Sequence, residues 1–318
     1  MGGLFLYLAF QNTDLEKLAR DFAQANYSYV LLSMLMGYLA FVSRGLRWNL
    51  LLEPMGTTPK KWNSIHAIAI GYLANAAVPR AGELARCTSL HSTDEIPVNR
   101  LFGTVMLERM IDGLILMGLM LLTVILELDK LLSFFDEAFG RQRPDQASII
   151  WKVALGLVFL ALLVLVYLFR ARFQHLPFYS KVRDFWQGFK EGFKSFAQVK
   201  RKGIFFAHTL FIWSMYYLMI YIVVFALPAT DHIDPTSGLF LMILGGMGMV
   251  VPSPGGIGSY HYLVMLGMGV LGVSASDGVS FATLVHGGQF IMTILAGLIA
   301  LALVYRERRR LKKAAPAK

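Results

Sequence analysis

The chain alternates between long apolar runs and short polar, often basic, segments. A helix needs about 20 apolar residues to cross the hydrocarbon core of a bilayer. Five runs reach that length and are rich in Leu, Met and Ala, which favours helices over strands. The predicted spans are Tyr27–Leu52, Leu101–Leu126, Ile149–Phe169, Ile204–Leu227 and Val279–Tyr305.

Two further apolar stretches are interrupted near their middles. Trp62–Leu90 is broken at Pro79, and Gly238–Val273 is broken at Pro252 in a glycine-rich run. A broken helix leaves backbone N–H and C=O groups that hydrocarbon cannot satisfy, so such breaks occur where protein or a polar cavity surrounds them. Each stretch is therefore predicted to be a re-entrant hairpin or a pair of short helices.

The opening segment Gly2–Phe10 is apolar but too short to cross a bilayer. It has no positively charged start and no small-residue cleavage site, so a signal peptide is not expected. We interpret it as the remnant of a first span, whose true start lies upstream or has been removed.

The composition supports a polytopic membrane protein. Hydrophobic residues make up 56% of the 318 residues and charged residues 16%, against about 25% charged in soluble domains. The formal charge of +10 comes largely from basic clusters between the spans, as the positive-inside rule requires, so no nucleic-acid binding is expected. The single cysteine, Cys87, excludes internal disulfides and a cysteine-rich metal site. We expect no metal and no cofactor.

The basic clusters also predict an orientation. Nine Lys and Arg residues lie in 170–202 and seven follow Tyr305, whereas 127–147 and 230–237 are acidic. The first two segments should therefore be cytoplasmic and the last two external. This places the chain in the bacterial inner (cytoplasmic) membrane as a multi-pass protein with a cytoplasmic C-terminus.

The orientation predicts an internal repeat. A span, a broken hairpin and a span occur twice, at about 27–126 and 204–305, with opposite polarity in the membrane. The predicted fold class is all-α, a polytopic membrane protein with an inverted-topology repeat, which is typical of alternating-access transporters. A single transmembrane domain, 1–305, would then contain a cytoplasmic linker, 170–203, and precede a basic tail, 306–318.

The linker carries aromatic residues on one helical face. Phe185, Phe189, Phe193 and Phe196 recur at helical spacing, with lysines between them. This pattern is typical of an amphipathic helix at the inner membrane surface, attracted to anionic lipid. A connector packed on its own protein fits the pattern nearly as well.

Charged residues near the first break are the first candidates for chemistry. Arg80, Glu83 and Arg86 follow Pro79 at three-residue spacing and could share a helix face. Charges at membrane depth are costly, so they face the protein interior and pair or bind a polar ligand. The arginines could hold a lipid phosphate through bidentate hydrogen bonds. The alternative is an ion-pair cluster that fixes the hairpin. The candidates on the next span are Glu108, Arg109 and Asp112.

The second break supplies other candidates. Its half-helix could present free N–H groups to an anionic phosphate, and the residues concerned are Ser253, Gly255, Gly256, Gly258 and His261. A structural hinge or close-packing site is the alternative. His261, His286 and Gln289 are further polar candidates inside the membrane. The two histidines could relay protons, although hydrogen-bonded structural histidines are more common. Arg44 and Arg47 lie near a span end and are interpreted as snorkelling or anchoring residues.

Four stretches of this sequence resemble the transmembrane flippase family of lysylphosphatidylglycerol synthetases, which also occurs as a stand-alone membrane family. The stretches are Arg44–Leu52, Gly71–Arg86, Gly103–Asp112 and Pro252–His261. The resemblance implies a lipid-translocating fold with inverted repeats and re-entrant helices. It also implies that the characteristic polar motifs include Arg80, Glu83, Glu108, Arg109 and Asp112. Fuller family members carry a cytoplasmic aminoacyl-transferase domain, for which 170–203 is too short, so synthetase activity is not expected here.

The leading hypothesis is a lipid flippase, not an enzyme, whose substrate is a membrane phospholipid or a lipid-linked headgroup. Arg80, Arg86 and Arg109 would capture the headgroup, with acidic partners. The alternatives are a carrier for a small solute or ion, a membrane transferase acting on a lipid-linked sugar or phosphate, and a non-catalytic partner of a separately encoded lipid-modifying enzyme. A homo-oligomer is also compatible with the sequence.

Overall fold

The structure, a computed structural model, describes residues 2–11, 13–139, 197–251 and 253–314. The described residues form helices joined by turns and contain no strand. The helices are α1 Gly2–Phe10, α2 Leu15–Gln24, α3 Tyr27–Leu52, α4 Lys61–Ala77, α5 Gly82–Asp94, α6 Val98–Leu126, α7 Leu128–Phe139, α8 Lys202–Tyr221, α9 Pro235–Val250, α10 Ser259–Val270 and α11 Ala275–Ala314.

Four of these helices are long and apolar enough to cross a membrane, namely α3, α6, α8 and α11. They confirm four of the five predicted spans and the prediction of an all-α, polytopic membrane protein. The fifth predicted span, Ile149–Phe169, lies outside the described residues. So does the aromatic face predicted for the linker.

Both predicted breaks are present. At the first, Val78 is extended (φ −131°, ψ 117°), as expected for a residue that precedes a proline. At the second, Val251 is extended, and Gly255, Gly256 and Gly258 have positive φ angles of 58°, 78° and 89°. This left-handed backbone is strained for residues with a Cβ atom. The proline and the glycines therefore end α4 and α9 and allow α5 and α10 to start in new directions.

The order of elements recurs along the chain. A long helix, two short helices around a break and another long helix occur first as α3 to α6 and again as α8 to α11. This order agrees with the two predicted repeats. Their opposite orientation in the membrane, the re-entrant depth of the hairpins and the domain boundaries stay predictions.

The two breaks lie next to each other. A Cβ atom on Gly255 would lie 3.6 Å from the Cα atom of Ala76, in the last turn of α4. Helix α11 supports this contact because it packs against α3, α4 and α10. Within the first hairpin, a Cβ atom on Gly82 would come within 2.3 Å of the Gly71 carbonyl oxygen, so only glycine permits this approach of α5 to α4.

The first helix covers the second break, and the second helix packs on α11. Helix α1 packs on α10, where the rings of Phe5 and Tyr262 have centroids 5.8 Å apart. Helix α2, which the sequence analysis missed, is joined to the start of α11 by a 2.6 Å ion pair between Lys17 and Asp277. The interpretation of Gly2–Phe10 as the remnant of a span stays a prediction.

Asp234 caps the start of α9. Its side chain accepts hydrogen bonds from the backbone N–H groups of Thr236 (2.8 Å) and Ser237 (3.0 Å). Burial opposes its ionisation, but hydrogen bonds from Ser237 and Thr236 and the charge of Lys130 hold the pKa of Asp234 below its usual range. The ionised carboxylate therefore stabilises this end of α9.

Candidate functional site

The site is built from two helical rows of charge that face each other. Arg44 and Arg47 lie three residues apart on α3, and Glu108 and Asp112 lie four residues apart on α6. Residues at these spacings share one helix face, so each helix presents two like charges to the other. Arg86 reaches the same place from α5. We call these five residues the ion cluster.

Glu108 is the centre of the ion cluster and is completely buried (0% exposed). Its Oε1 atom accepts from Nη2 of Arg44 at 2.5 Å and from Nη2 of Arg47 at 3.2 Å. Its Oε2 atom accepts from Nη1 of Arg86 at 3.0 Å. One carboxylate therefore joins three guanidinium groups from two helices.

Asp112 holds the same two α3 arginines one turn further along α6. Its Oδ2 atom lies 2.7 Å from Nη2 of Arg44, and its Oδ1 atom lies 2.8 Å from Nη2 of Arg47. The other Nη atoms of these arginines donate to α8, to the Tyr216 hydroxyl at 2.7 Å and the Thr209 hydroxyl at 3.0 Å. The ion cluster thus connects the first predicted repeat to the first helix of the second.

Aromatic rings enclose the guanidinium groups. Arg86 lies 5.0 Å from the ring centroid of Trp48, and Arg44 lies 5.9 Å from that of Tyr72. The Tyr72 ring also stacks on Phe41 with centroids 4.2 Å apart. Such contacts stabilise desolvated cations.

The ion cluster carries a surplus of positive charge. Three arginines face two carboxylates, so one positive charge is uncompensated within it. The Nε atoms of Arg44, Arg47 and Arg86, together with Nη2 of Arg86, are buried and have no hydrogen-bond partner among the residues that the structure describes. Unpaired buried donors of a charged group are costly. Arg86, with two such donors, is the strongest candidate to bind an anion.

Arg86 also lines a cleft at the first break. The cleft measures about 220 Å³ including its open mouth and has room for about one water molecule. At its edge, Nε of Arg109 lies 3.5 Å from Oε1 of Glu83, and both side chains are partly exposed. The lining residues are Ile68, Gly71, Tyr72, Asn75, Gly82, Glu83, Arg86 and Arg109. The cleft therefore combines one exposed ion pair with one buried guanidinium.

The structure brings most of the first-break candidates together, with two corrections. Glu83, Arg86, Glu108, Arg109 and Asp112 all lie in the ion cluster or the adjoining cleft. Arg80 does not share their helix face, because it precedes α5, is exposed and has a left-handed backbone (φ 65°).

The second correction concerns Arg44 and Arg47. They do not snorkel to the membrane surface, since only 3% and 0% of these residues is exposed. Both arginines lie within about the last two turns of α3. This position hid their role, because sequence position cannot show which face of α3 meets α6. Tyr216 and Thr209 gave no signal at all in the sequence.

The second break does not contribute to this cleft. Ser253 and Ser259 share a hydrogen bond of 2.9 Å, and Ser259 donates to the Gly248 carbonyl at 2.7 Å. Close packing occupies the glycines, since a Cβ atom on Gly258 would lie 2.3 Å from the Gly2 carbonyl oxygen and one on Gly256 2.2 Å from the Met249 sulfur. The geometry favours the close-packing alternative here over the predicted phosphate site.

The fold and the ion cluster define the protein as a multi-pass membrane protein with a polar centre between its helices. The family model of the lysylphosphatidylglycerol synthase TM region matches residues 1–297. The chain belongs to this family, as its resemblance to the family's motifs predicted.

One curated protein is similar to part of the chain. The UPF0104 membrane protein MJ1595 of Methanocaldococcus jannaschii is 27% identical over 112 residues, which are 34% of this chain and 33% of the relative. The match thus spans about a third of that protein's length. No solved structure matches the chain.

Proposed function

We propose that the chain is an integral membrane lipid flippase that moves a phospholipid or a lipid-linked headgroup across the bacterial inner membrane. The observation that carries the proposal is the buried guanidinium of Arg86, whose Nε and Nη2 atoms lack partners beside a cleft at a helix break. A phosphate group would satisfy those donors and neutralise the surplus charge of the ion cluster.

Each charged residue then has a distinct task. Arg86 binds the phosphate from inside the cleft, and Arg109 binds it from the edge after leaving Glu83. That exchange costs little free energy, because the Arg109–Glu83 contact is 3.5 Å long and both side chains are partly exposed. Glu108 and Asp112 hold Arg44 and Arg47 in place, and the ion cluster as a whole keeps one net positive charge. Arg80, exposed at the break, is the first guanidinium that an entering headgroup meets.

Transport requires the cleft to open. In this conformation it has room for about one water molecule, which is too little for a phospholipid headgroup. The bonds from Arg44 to Tyr216 and from Arg47 to Thr209 couple the site to α8. Rocking of α8 to α11 against α3 to α6 would therefore reshape the ion cluster and expose the cleft to each side in turn. The C-terminal tail would lie in the cytoplasm.

A carrier for a small anion is the second candidate. The small volume of the cleft favours it, because a free anion needs no lateral opening for acyl chains. The ion cluster would bind such an anion through the same Arg86 donors. The two candidate functions therefore differ in the substrate that the protein moves, and not in the residues that bind the substrate.

Reconstitution of the purified protein in liposomes tests the proposal. The exposure of fluorescent phospholipids with anionic, zwitterionic and cationic headgroups to external dithionite measures translocation. We expect translocation by the wild type and at least a tenfold loss in Arg86→Gln and Arg109→Gln, corresponding to about 1.4 kcal/mol or more of lost substrate stabilisation. Arg100→Gln, an exposed arginine in the first turn of α6, is the matched control. Translocation unchanged in Arg86→Gln, or absent from a folded wild type, would refute the proposal, and uptake of inorganic phosphate by that wild type would favour the small-anion carrier.

A further inference from the structure

Two histidines that the proposed binding site does not use lie together at the second break. His261 on α10 and His286 on α11 have ring centroids 5.0 Å apart. Both are more than nine-tenths buried, with exposures of 6% and 8%. We call them the imidazole pair.

The hydrogen bonding of the imidazole pair is incomplete. Nε2 of His286 lies 2.8 Å from the Gly255 carbonyl oxygen, so it donates, and in the neutral ring Nδ1 is then an unprotonated acceptor. Nδ1 of His261 and the hydroxyl of the adjacent Tyr260 are buried without a partner among the described residues. Buried polar atoms are nearly always satisfied, so these two need a physical reason.

Aromatic rings surround the imidazole pair. Tyr260 stacks on His286 with centroids 4.9 Å apart, Phe290 lies 6.1 Å from His286, and Phe10 lies 6.1 Å from His261. The face of an aromatic ring attracts a cation, and so does the oxygen of a carbonyl group. An imidazolium therefore has partial stabilisation here without a carboxylate.

Among the described residues, Tyr260 is the titratable side chain in contact with both rings. Helix α9 has no titratable side chain, α1 has Tyr7, and α10 adds Tyr260 and Tyr262. Asp277 near the start of α11 pairs with Lys17, and Asp21 on α2 accepts a hydrogen bond from Ser280 of α11. The remaining groups are Lys61, His66 and Tyr72 on α4, Asp129 and Lys130 on α7, and the charged residues at the end of α11. No described ion pair or hydrogen bond joins a carboxylate to either ring.

These surroundings make the charge of the imidazole pair depend on conformation. Burial without a carboxylate favours neutral rings while the site is closed, and hydration on opening favours protonation. Two positive charges 5 Å apart repel strongly outside bulk water, so the pair accepts one proton. By linkage, a conformation that binds the proton better is itself favoured by the proton.

The imidazole pair lies where the two halves of the chain meet. His286 holds the carbonyl of Gly255, and Gly255 abuts Ala76 in the last turn before the first break. We propose that the imidazole pair is a binding site for one proton, and that this proton is the coupling ion of transport. The coupling rests on the proposed transport function, whereas proton binding by the pair does not. The pair would bind the proton on the more acidic side of the membrane and release it on the other side, and each step would change the contact between Gly255 and Ala76.

Nuclear magnetic resonance of the ¹⁵N-histidine-labelled protein in nanodiscs tests proton binding directly. The chain has 7 histidines, and His286→Gln and His261→Asn assign the pair by loss of signals. Glutamine at 286 can still donate to Gly255 but does not titrate. We expect the pair to take up one proton as the pH falls from about 8 to about 4, with the partner signal shifting in each variant. A pair that stays neutral throughout, or two independent titrations, would overturn the proposal.

Lipid translocation under an imposed pH gradient tests the coupling. A gradient of two pH units is a 100-fold ratio of proton activity, so one coupled proton could sustain up to about a 100-fold lipid asymmetry. We expect the gradient to change wild-type translocation and not that of His286→Gln, with His66→Gln on α4 responding as the wild type does. A gradient response retained in folded His286→Gln would overturn the coupling. If the wild type moves no lipid, the transport function and its coupling fail, while the titration still decides the proton site.

Discussion

Removing the charge of Glu108 should destabilise the protein more than removing any exposed charge. In Glu108→Gln the amide nearly fills the space of the carboxylate, but three guanidinium groups then face Asp112 alone. The surplus of positive charge in the ion cluster rises from one to two, and the amide NH₂ group points donors at a guanidinium. Removing one partner from a buried ion pair costs about 3–5 kcal/mol. Over a chain of this length, that corresponds to a fall in Tm of roughly 5–10 °C.

Glu83→Gln is the matched control for this substitution. Glu83 also pairs with an arginine, but the contact is 3.5 Å long and the partner side chains are 22% and 40% exposed. Its loss should cost less than about 1 kcal/mol. Thermal unfolding of both variants in the same detergent, with the monodispersity of each sample checked, measures the difference in Tm. Equal Tm values for Glu108→Gln and Glu83→Gln would refute the reasoning, because they would mean that the ion cluster contributes no more than a surface ion pair.

Three further predictions concern the hairpins. Gly82→Ala should lower the free energy of unfolding by about 1–3 kcal/mol, because its Cβ atom would lie 2.3 Å from the Gly71 carbonyl oxygen. Gly103→Ala should leave the free energy of unfolding unchanged, because open space surrounds Gly103. Equal stability of the two variants would contradict this packing. Asp234→Asn should remove part of the acid sensitivity of the protein: the folded pKa of Asp234 is lowered, so its stabilisation is complete above the unfolded value of about 3.9 and is lost as the pH falls through the lower folded value. Unfolding measured from about pH 5 down to about pH 2 tests this, and an unchanged slope in Asp234→Asn would count against it. Arg80→Gly should relieve a left-handed backbone strain of about 1 kcal/mol and so keep or raise the Tm. The same variant should translocate lipid more slowly than the wild type. Translocation at the wild-type rate would show that Arg80 is not part of the site.

The sequence was informative where a single physical constraint decides the structure. The need for about 20 apolar residues located α3, α6, α8 and α11. Pro79, which lacks a backbone N–H, and the glycines at 255, 256 and 258 located the two breaks. These constraints act along the chain, so they can be evaluated without knowing which helices pack together.

The candidate site was harder to predict because it depends on which helix faces meet. Glu108 and Asp112 were recognisable as charges in the middle of a span, yet their partners Arg44 and Arg47 lie closer to a span end and were interpreted as anchors. Arg80 has the right spacing but falls in the turn, where helical periodicity does not apply. Tyr216 and Thr209 became part of the site only through the packing of α8 on α3.

The most direct test of the central claim is whether translocation depends on a phosphate in the lipid. Proteoliposomes of the wild type would contain either phosphatidylglycerol or glucosylceramide, each carrying the same fluorophore on its acyl chain, with dithionite reporting the exposed fraction. If Arg86 binds a phosphate in the cleft, the phospholipid should cross at least tenfold faster than the glycolipid, and Arg86→Gln should abolish the difference. Equal rates for the two lipids, or a preference that survives in Arg86→Gln, would contradict the account.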